Sequence, residues 1–198
     1  MIRKLNLKGE PVLYNQCVPI APLVKLDDKK LTSSLSDVNV ESDEVAGTEK
    51  KSSWPTEVIQ LVEDLKDTAE SIADSCFGLA STQIWHKEPD RCPSVFVMRW
   101  PISKDIKERG WDWREIINPF MKTSGKSYKN QEGCLSYPGT SYRKRRSANV
   151  TLLYQTLIEP RQRQIKLTRN EHDPLPWIIQ HEVDHLMGKC IRSKNFEG

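Results

Sequence analysis

Trp177-Ile178-Ile179-Gln180-His181-Glu182-Val183-Asp184-His185-Leu186 is the stretch on which the fold turns. Trp177, Ile178, His181 and His185 recur near helical period. Pro174 and Pro176 precede the run, Asp173 is a candidate N-cap, and Gly188 is a candidate stop. Two histidines four apart lie on one helix face, one turn above the other. Such a pair can hold one divalent metal, and the glutamate after the first sits where it can handle the proton of a metal-bound water. The bland reading is an amphipathic helix with two ordinary histidines. Yet the chain has only 4 histidines, and two of them fall in this one frame.

Working outward, 198 residues, a net charge of +3 and 37 % hydrophobic content suit a single domain spanning 1–198. The charge is too small to demand nucleic acid, so DNA is not expected as a partner. The 5 cysteines are odd in number and form no C-x-x-C pair, which favours a reducing compartment. No run approaches the ~20 apolar residues of a membrane helix. The first residues lack an apolar signal core. Both point to the cytoplasm and away from a membrane.

Residues 1–22 read as an irregular lead-in, broken by Pro11, Pro19 and Pro22. Residues 27–53 read as a polar, flexible insertion. Pro55 opens a helix over about 55–75, with Val58, Leu61, Val62, Leu65, Ala69, Ile72 and Ala73 in helical period. Small residues from Cys76 to Ile84 permit close approach of the backbone to a ligand or neighbour, with a tight helix-to-strand turn as the plainer reading. Residues 94–98 read as a buried strand and 111–119 as a short strand ending at Pro119. Residues 122–130 read as a polar turn. Residues 149–154 and 164–167 make a hairpin around 159–161. Strands in the middle and helices at both ends argue for an α+β fold.

A hydrolytic metal site needs a third protein ligand and an open position. His86, His172, a carboxylate or a cysteine can supply it. The Gln131-Glu132-Gly133-Cys134-Leu135-Ser136-Tyr137-Pro138-Gly139 stretch is the second strong signal, although by physics alone a lone cysteine on a turn is more often a small core residue.

Three segments, Gly78-Leu79-Ala80-Ser81-Thr82-Gln83, Glu132-Gly133-Cys134-Leu135-Ser136 and His181-Glu182-Val183-Asp184-His185-Leu186-x-Gly188, resemble the three signature motifs of peptide deformylase in their proper order. That family removes the N-formyl group from the initiator methionine of nascent bacterial-type proteins. The resemblance covers about residues 76–190, and Gly9–Leu13 is similar to the family's N-terminal strand. It implies antiparallel or mixed β-sheets around a central helix carrying His181 and His185. It implies Cys134, His181 and His185 as ligands of one divalent transition metal, iron (Fe2+) as the native ion, with zinc, nickel or cobalt also suiting the thiolate. A metal-bound water would be the nucleophile and Glu182 the acid/base. Gln83 and the Leu135 N–H would stabilise the oxyanion. Gly78, Phe77, Gly133, Trp177 and Ile178 would contact the peptide. Asp184 would either orient a ligand histidine or face solvent, and Arg146 is assigned to structure. The implied partners are the formyl-Met nascent peptide and the ribosome near the exit tunnel, in the cytoplasm of a bacterial-type translation compartment.

The chain departs from the family at Cys76, where glycine is usual, at Ser81, where a second alanine is usual, and at Phe77. Only thirteen residues follow His185, too few for the family's frequent long C-terminal helix. Two other classes stay in view. An H-E-x-x-H metallopeptidase would use histidine or glutamate as third ligand, which Cys134 argues against. A non-enzymatic ribosome- or RNA-binding protein would use Arg143–Arg146 with Lys126 and Lys129.

Overall fold

Val58, Leu61, Val62, Leu65 and Ala69 are all buried, and their spacing makes one apolar stripe on helix α1, Thr56–Ser71. A computed structural model of the chain describes residues 1–21, 54–102, 110–169 and 173–189. The expected polar insertion at 27–53 lies outside the described residues, as do His172 and the residues after 189. Trp54 anchors the start of α1, donating its indole N–H to Thr156 O at 2.9 Å. The helix ends four residues before the expected 75. From Ile72 on, the N–H groups reach back only three residues, through Ala73, Ser75 and Cys76, and the chain tightens out of the α-helix.

Five strands follow: β1, Gly78–Ala80; β2, Val95–Pro101; β3, Trp111–Gly133; β4, Ser141–Gln155; and β5, Arg163–Thr168. They form one antiparallel sheet in the order β1-β2-β3-β4-β5. Val95, Phe96, Val97 and Met98 are all fully buried, so β2 lacks the alternation of a half-exposed strand. Helix α2, Leu175–Leu186, packs across β1, β2, β3, β4 and β5. This is the expected α+β architecture, with the helix that carries His181 and His185 against the sheet.

The expected turn at 122–130 is instead part of β3, paired with β4 from Phe120 to Gly133. The two chain breakers in this stretch sit on two β-bulges. Register shifts fall between Ile117 and Phe120, around Asn118 and Pro119, and between Ser124 and Ser127, around Gly125. Asn118 takes φ 49° and Gly125 φ 78°, the left-handed region that these residue types tolerate best. A proline is acceptable at a bulge because its missing N–H removes no ladder bond. Asn118 holds the bend by accepting from Ile20 N–H at 2.8 Å and donating to Ile20 O at 2.7 Å. The expected 149–167 hairpin is present as β4–β5.

Two smaller corrections concern the ends. The Gly9–Leu13 stretch is not a strand; Pro11–Tyr14 is a 3-10 turn, opened by the fixed φ of Pro11. The N-cap of α2 is Pro174 and not Asp173; Asp173 stands one residue earlier, where its carboxylate accepts from the Leu175 N–H at 3.0 Å. Gly188 does stop α2, at φ 67°, with Lys189 N–H donating to Asp184 O at 2.8 Å. A Cβ there would lie 2.5 Å from Tyr14 O, because the lead-in crosses the end of α2 through Cys17 N–H donating to Leu186 O at 2.8 Å. Gly188→Ala therefore combines a left-handed backbone with a backbone clash. It is expected to cost about 1–3 kcal/mol or more, read as a lower denaturant midpoint; an unchanged midpoint contradicts this account of the helix end.

Candidate active site

Gln180, His181, Glu182 and His185 are all buried on α2. Four polar side chains in one short helix are costly to bury unless they are partnered. Gln180 docks the helix. Its Oε1 accepts from Ser147 N–H at 2.9 Å, and its Nε2 donates to Ser147 O at 3.0 Å and Pro176 O at 2.8 Å. That joins α2 to β4 one residue from Arg146.

Arg146 is buried and forked. Its Nε and Nη2 donate to the two Glu132 oxygens at 2.7 and 2.6 Å, and its Nη1 donates to Asp184 Oδ2 at 2.6 Å. The four-residue basic run is thus not one solvated patch. Strand alternation turns Lys144 and Arg146 inward and leaves Arg143 and Arg145 exposed. Asp184 meets Arg146 rather than solvent or a ring nitrogen. Glu132 Oε2 in turn accepts from His181 Nδ1 at 3.0 Å. Burial would raise the Glu132 pKa, but the hydrogen bonds from Arg146 and His181 hold it at about 2. With Nδ1 committed to this carboxylate, Nε2 is the His181 nitrogen that faces Cys134 and His185 and would bind a metal once its own proton is displaced. The role of Glu132 was not read from the sequence, although it stands at the head of the Cys134 motif.

Cys134 follows directly on the end of β3. Its Sγ lies 3.2 Å from His185 Nε2, and the ligand atoms of Cys134, His181 and His185 all lie within 4.8 Å of one another. A tetrahedral ion with bonds of about 2.3 Å to sulfur and 2.0–2.1 Å to nitrogen separates those donors by roughly 3.5 Å, so the three residues fit a metal. Burial would raise the Cys134 thiol, but His185 and His181 draw it down to about 5. Burial would lower the His181 pKa; its contacts with Cys134 and Glu132 lift it to about 9. The trio therefore sets a thiolate beside a protonated His181, and a soft divalent cation would displace the proton on the ring nitrogen that faces it. His86, the other described histidine, is exposed, with Nε2 2.9 Å from Lys4 O, and takes no part.

Glu182 is fully enclosed but is not one of the three. Its Oε2 has no hydrogen-bond partner among the described residues. Burial raises its pKa to about 6 against the pull of the two imidazoles. The side chain lies over β1, where a Cβ on Gly78 would come within 2.6 Å of Glu182 Oε1. Gly78 is thus a space requirement of the carboxylate.

Gln83 ends the short 3-10 turn Ser81–Gln83 and is buried. Its Oε1 accepts from Ala80 N–H at 2.9 Å, which assigns the amide orientation and turns Nε2 toward Ser136 Oγ, 3.3 Å away. The turn is held from behind by Asn6, a residue without a sequence signal. Its N–H donates to Gln83 O at 2.7 Å, and its side-chain amide donates to Thr82 O and Trp85 O, each at 2.8 Å. Among the peptide-contact candidates, Phe77 is 44 % exposed and meets Trp177 edge-on at 6.2 Å. Ile178 is in the packed core. Gly133 is exposed, and a Cβ there would have ordinary contact with Thr140 O at 3.9 Å.

Comparisons with known proteins agree with one another. The polypeptide deformylase family model matches residues 2–195. Peptide deformylase 3 of Shewanella oneidensis is 31 % identical over 146 residues, 72 % of this chain and 79 % of that protein. The peptide deformylase of Thermotoga maritima has the same fold, with a TM-score of 0.64 at 19 % identity, covering 96 % of this chain and 95 % of that one. So has a class I type b peptide deformylase of Acinetobacter baumannii in a Met-Ala-Ser-bound crystal structure, with a TM-score of 0.62 at 19 % identity and 96 % of each chain covered.

Arg146→Met tests the support of the ligands. It strands the buried Glu132 carboxylate, which is expected to cost about 3–5 kcal/mol of stability and about 10–100-fold in metal affinity. Isothermal titration of metal and a denaturation curve read both; an unchanged metal affinity in folded protein contradicts the assignment.

Proposed function

This chain belongs to the polypeptide deformylase family and removes the N-formyl group from nascent peptides; we propose that it does so at the Cys134, His181 and His185 centre, with Glu182 moving the protons. One observation carries this reading. Three soft donor atoms converge within 4.8 Å, and beside them stands a buried carboxylate with an unpartnered oxygen.

The three residues would hold a divalent transition metal, with iron (Fe2+) as the native ion, and it would supply Lewis-acid activation of a water molecule. Everything else is done by the chain. Glu182 takes a proton from that water as its oxygen bonds to the formyl carbon. It then gives the proton to the amine nitrogen as the C–N bond breaks, so formate and a free amino terminus leave. Burial, by raising its pKa, suits Glu182 to hold a proton between the two steps. Gln83 Nε2, already aimed at the Cys134–Ser136 turn, and the N–H of Leu135 face the oxygen on which charge develops. The Ser136 hydroxyl is a long partner for Gln83 at 3.3 Å, easily exchanged for a stronger negative acceptor.

Strand β1 lies at the edge of the sheet beside Glu182. On its outer edge Ala80 N–H is taken by Gln83 and Gly78 O accepts from the Cys76 thiol at 3.3 Å, so an extended peptide added there would use the remaining backbone groups and exchange the weak thiol partner. Phe77 and Trp177 stand there as a pair of rings, against which an unbranched thioether packs well. The Met-Ala-Ser bound to the Acinetobacter baumannii protein supports a methionyl peptide as the occupant. The substrate is then the formyl-Met nascent chain, presented by the ribosome near its exit tunnel in the cytoplasm of a bacterial-type translation system. No described helix is long and apolar enough to cross a membrane. The metallopeptidase reading is disfavoured because the third donor at the centre is Cys134.

Metal content and formate release from a formyl-Met peptide separate the roles. Cys134→Ala is expected to lose the metal. Glu182→Ala is expected to keep it and lose about 10²–10⁴-fold in kcat, and Gln83→Leu to keep it and lose on the order of 10²–10³-fold. In both, KM changes less than kcat, because the lost contacts belong to the transition state. A Glu182→Ala protein that comes out apo makes the glutamate a ligand and overturns the assignment. Gly78→Ala should also retain metal while losing kcat, since it displaces Glu182; full activity contradicts the close packing of β1 on that carboxylate.

A further inference from the structure

Residues 120–168 carry ten lysines and arginines but only two acids, Glu132 and Glu159, whereas the whole chain has a net charge of +3. The remainder is therefore net acidic, and the positive charge is gathered on β3, β4 and β5. The register says where it points. Lys129 faces Arg145 and Gln131 faces Arg143; Lys122, Thr151 and Lys166 line up across three strands. All five cations, Lys122, Lys129, Arg143, Arg145 and Lys166, are exposed, and they share the sheet face that points away from α2. Glu132 and Arg146 alternate to the other face, where they reach His181 and Asp184. From Phe120 onward in β3, and along β4 and β5, the outward face carries no carboxylate among the described residues; Glu115, further up β3 on the same face, is buried and paired with Lys66 of α1 at 2.6 Å. Ser127, Ser147, Asn149, Thr151 and Thr168 fill the positions between.

Such an arrangement carries a cost of its own. Like charges directly opposite in an antiparallel pair, as at Lys129 and Arg145, are destabilising. A bound polyanion turns that repulsion into attraction. Alternate residues of a strand are spaced roughly 6.8 Å apart, so the cations form rows that a linear chain of phosphates can follow. One bulky apolar side chain stands at the edge of the rows. Phe120 is 54 % exposed, with Lys122 Nζ 5.8 Å from its ring centre. A membrane surface would call for several inserted apolar groups rather than one. A single exposed ring beside a basic sheet suits an unpaired base stacked while its backbone is neutralised.

We propose that the outward face of β3, β4 and β5 is a docking surface for RNA, with the five cations on phosphates and Phe120 beneath one unpaired base. The surface lies on the opposite side of the sheet from the Cys134, His181 and His185 centre, so RNA and peptide can be bound together. Its test does not depend on turnover, and so fails or succeeds separately from the deformylase assignment.

The full chain is titrated into a labelled, single-stranded RNA of mixed sequence. Five phosphate contacts on a single strand give a slope of log K against log salt of about −3.5, which weakens binding roughly 10²-fold between about 50 and 200 mM salt. Replacing Lys129, Arg143, Arg145 and Lys166 together by glutamine should flatten the slope to about −0.7. Formate release from a free formyl-Met peptide should be unchanged. Phe120→Ala should weaken RNA about 10-fold and leave the slope as it was. If the fourfold variant does not fold, Lys129→Gln with Arg145→Gln, which removes the opposed pair, should still reduce the slope by about 1.4. Absence of RNA binding at low salt, an unaltered slope in the variants, or equally tight binding to phosphatidylserine vesicles in competition with RNA overturns the proposal.

Discussion

The fork of hydrogen bonds from Arg146 to Glu132 and Asp184 is the interaction on which the rest of the site depends. It ties the end of β3 to the last turn of α2 at the level of the proposed metal-ligand side chains. Cys134 comes from one of those elements and His181 and His185 from the other. Without the link, the thiolate and the imidazoles belong to surfaces free to shift against each other. Glu132 serves twice, as the acceptor for Arg146 and as the orienter of His181. Such a buried ion network is weak evidence for net stability, since desolvation offsets much of its attraction. Its value here lies in geometry, because a metal centre tolerates little error in where its donors stand.

A second constraint is space around Glu182. The glutamate is excluded from the ligand set and packed against backbone where only glycine fits. The same short strand therefore positions Glu182, the proposed acid/base, through Gly78, and leads into the turn holding Gln83. Asn6 fixes that turn from the N-terminal lead-in. Residues far apart in the chain thus converge on one small volume, and several of them act by supporting others.

The legible parts were those with a strong local signal. Helix α2 showed itself by period and by His181 and His185, and α1 by its apolar stripe. The Cys134 motif could be placed by family resemblance, although a lone cysteine on a turn says little by itself. What escaped was set by long-range pairing. Residues 122–130 look like a turn because their side chains are polar and Gly125 interrupts them, yet backbone pairing with β4 makes them strand. Pro119 looks like a strand end because its bulge cannot be read without the partner strand. Arg146 hides within a basic run, and only the two-residue alternation of β4 shows that it turns inward while its neighbours face out. Asn6 has no signal at all, since its three hydrogen bonds exist only once the lead-in has folded against the turn.

The central claim is that one thiolate and two imidazoles from these two elements hold a single metal, with Glu182 left out of the set. X-ray absorption at the metal edge of the loaded protein tests it most directly. The account predicts one sulfur neighbour at about 2.3 Å and light-atom neighbours at about 2.0–2.2 Å, with the sulfur gone in any metal that Cys134→Ala retains. A spectrum of the unaltered protein with no sulfur neighbour, or with two or more, would contradict it.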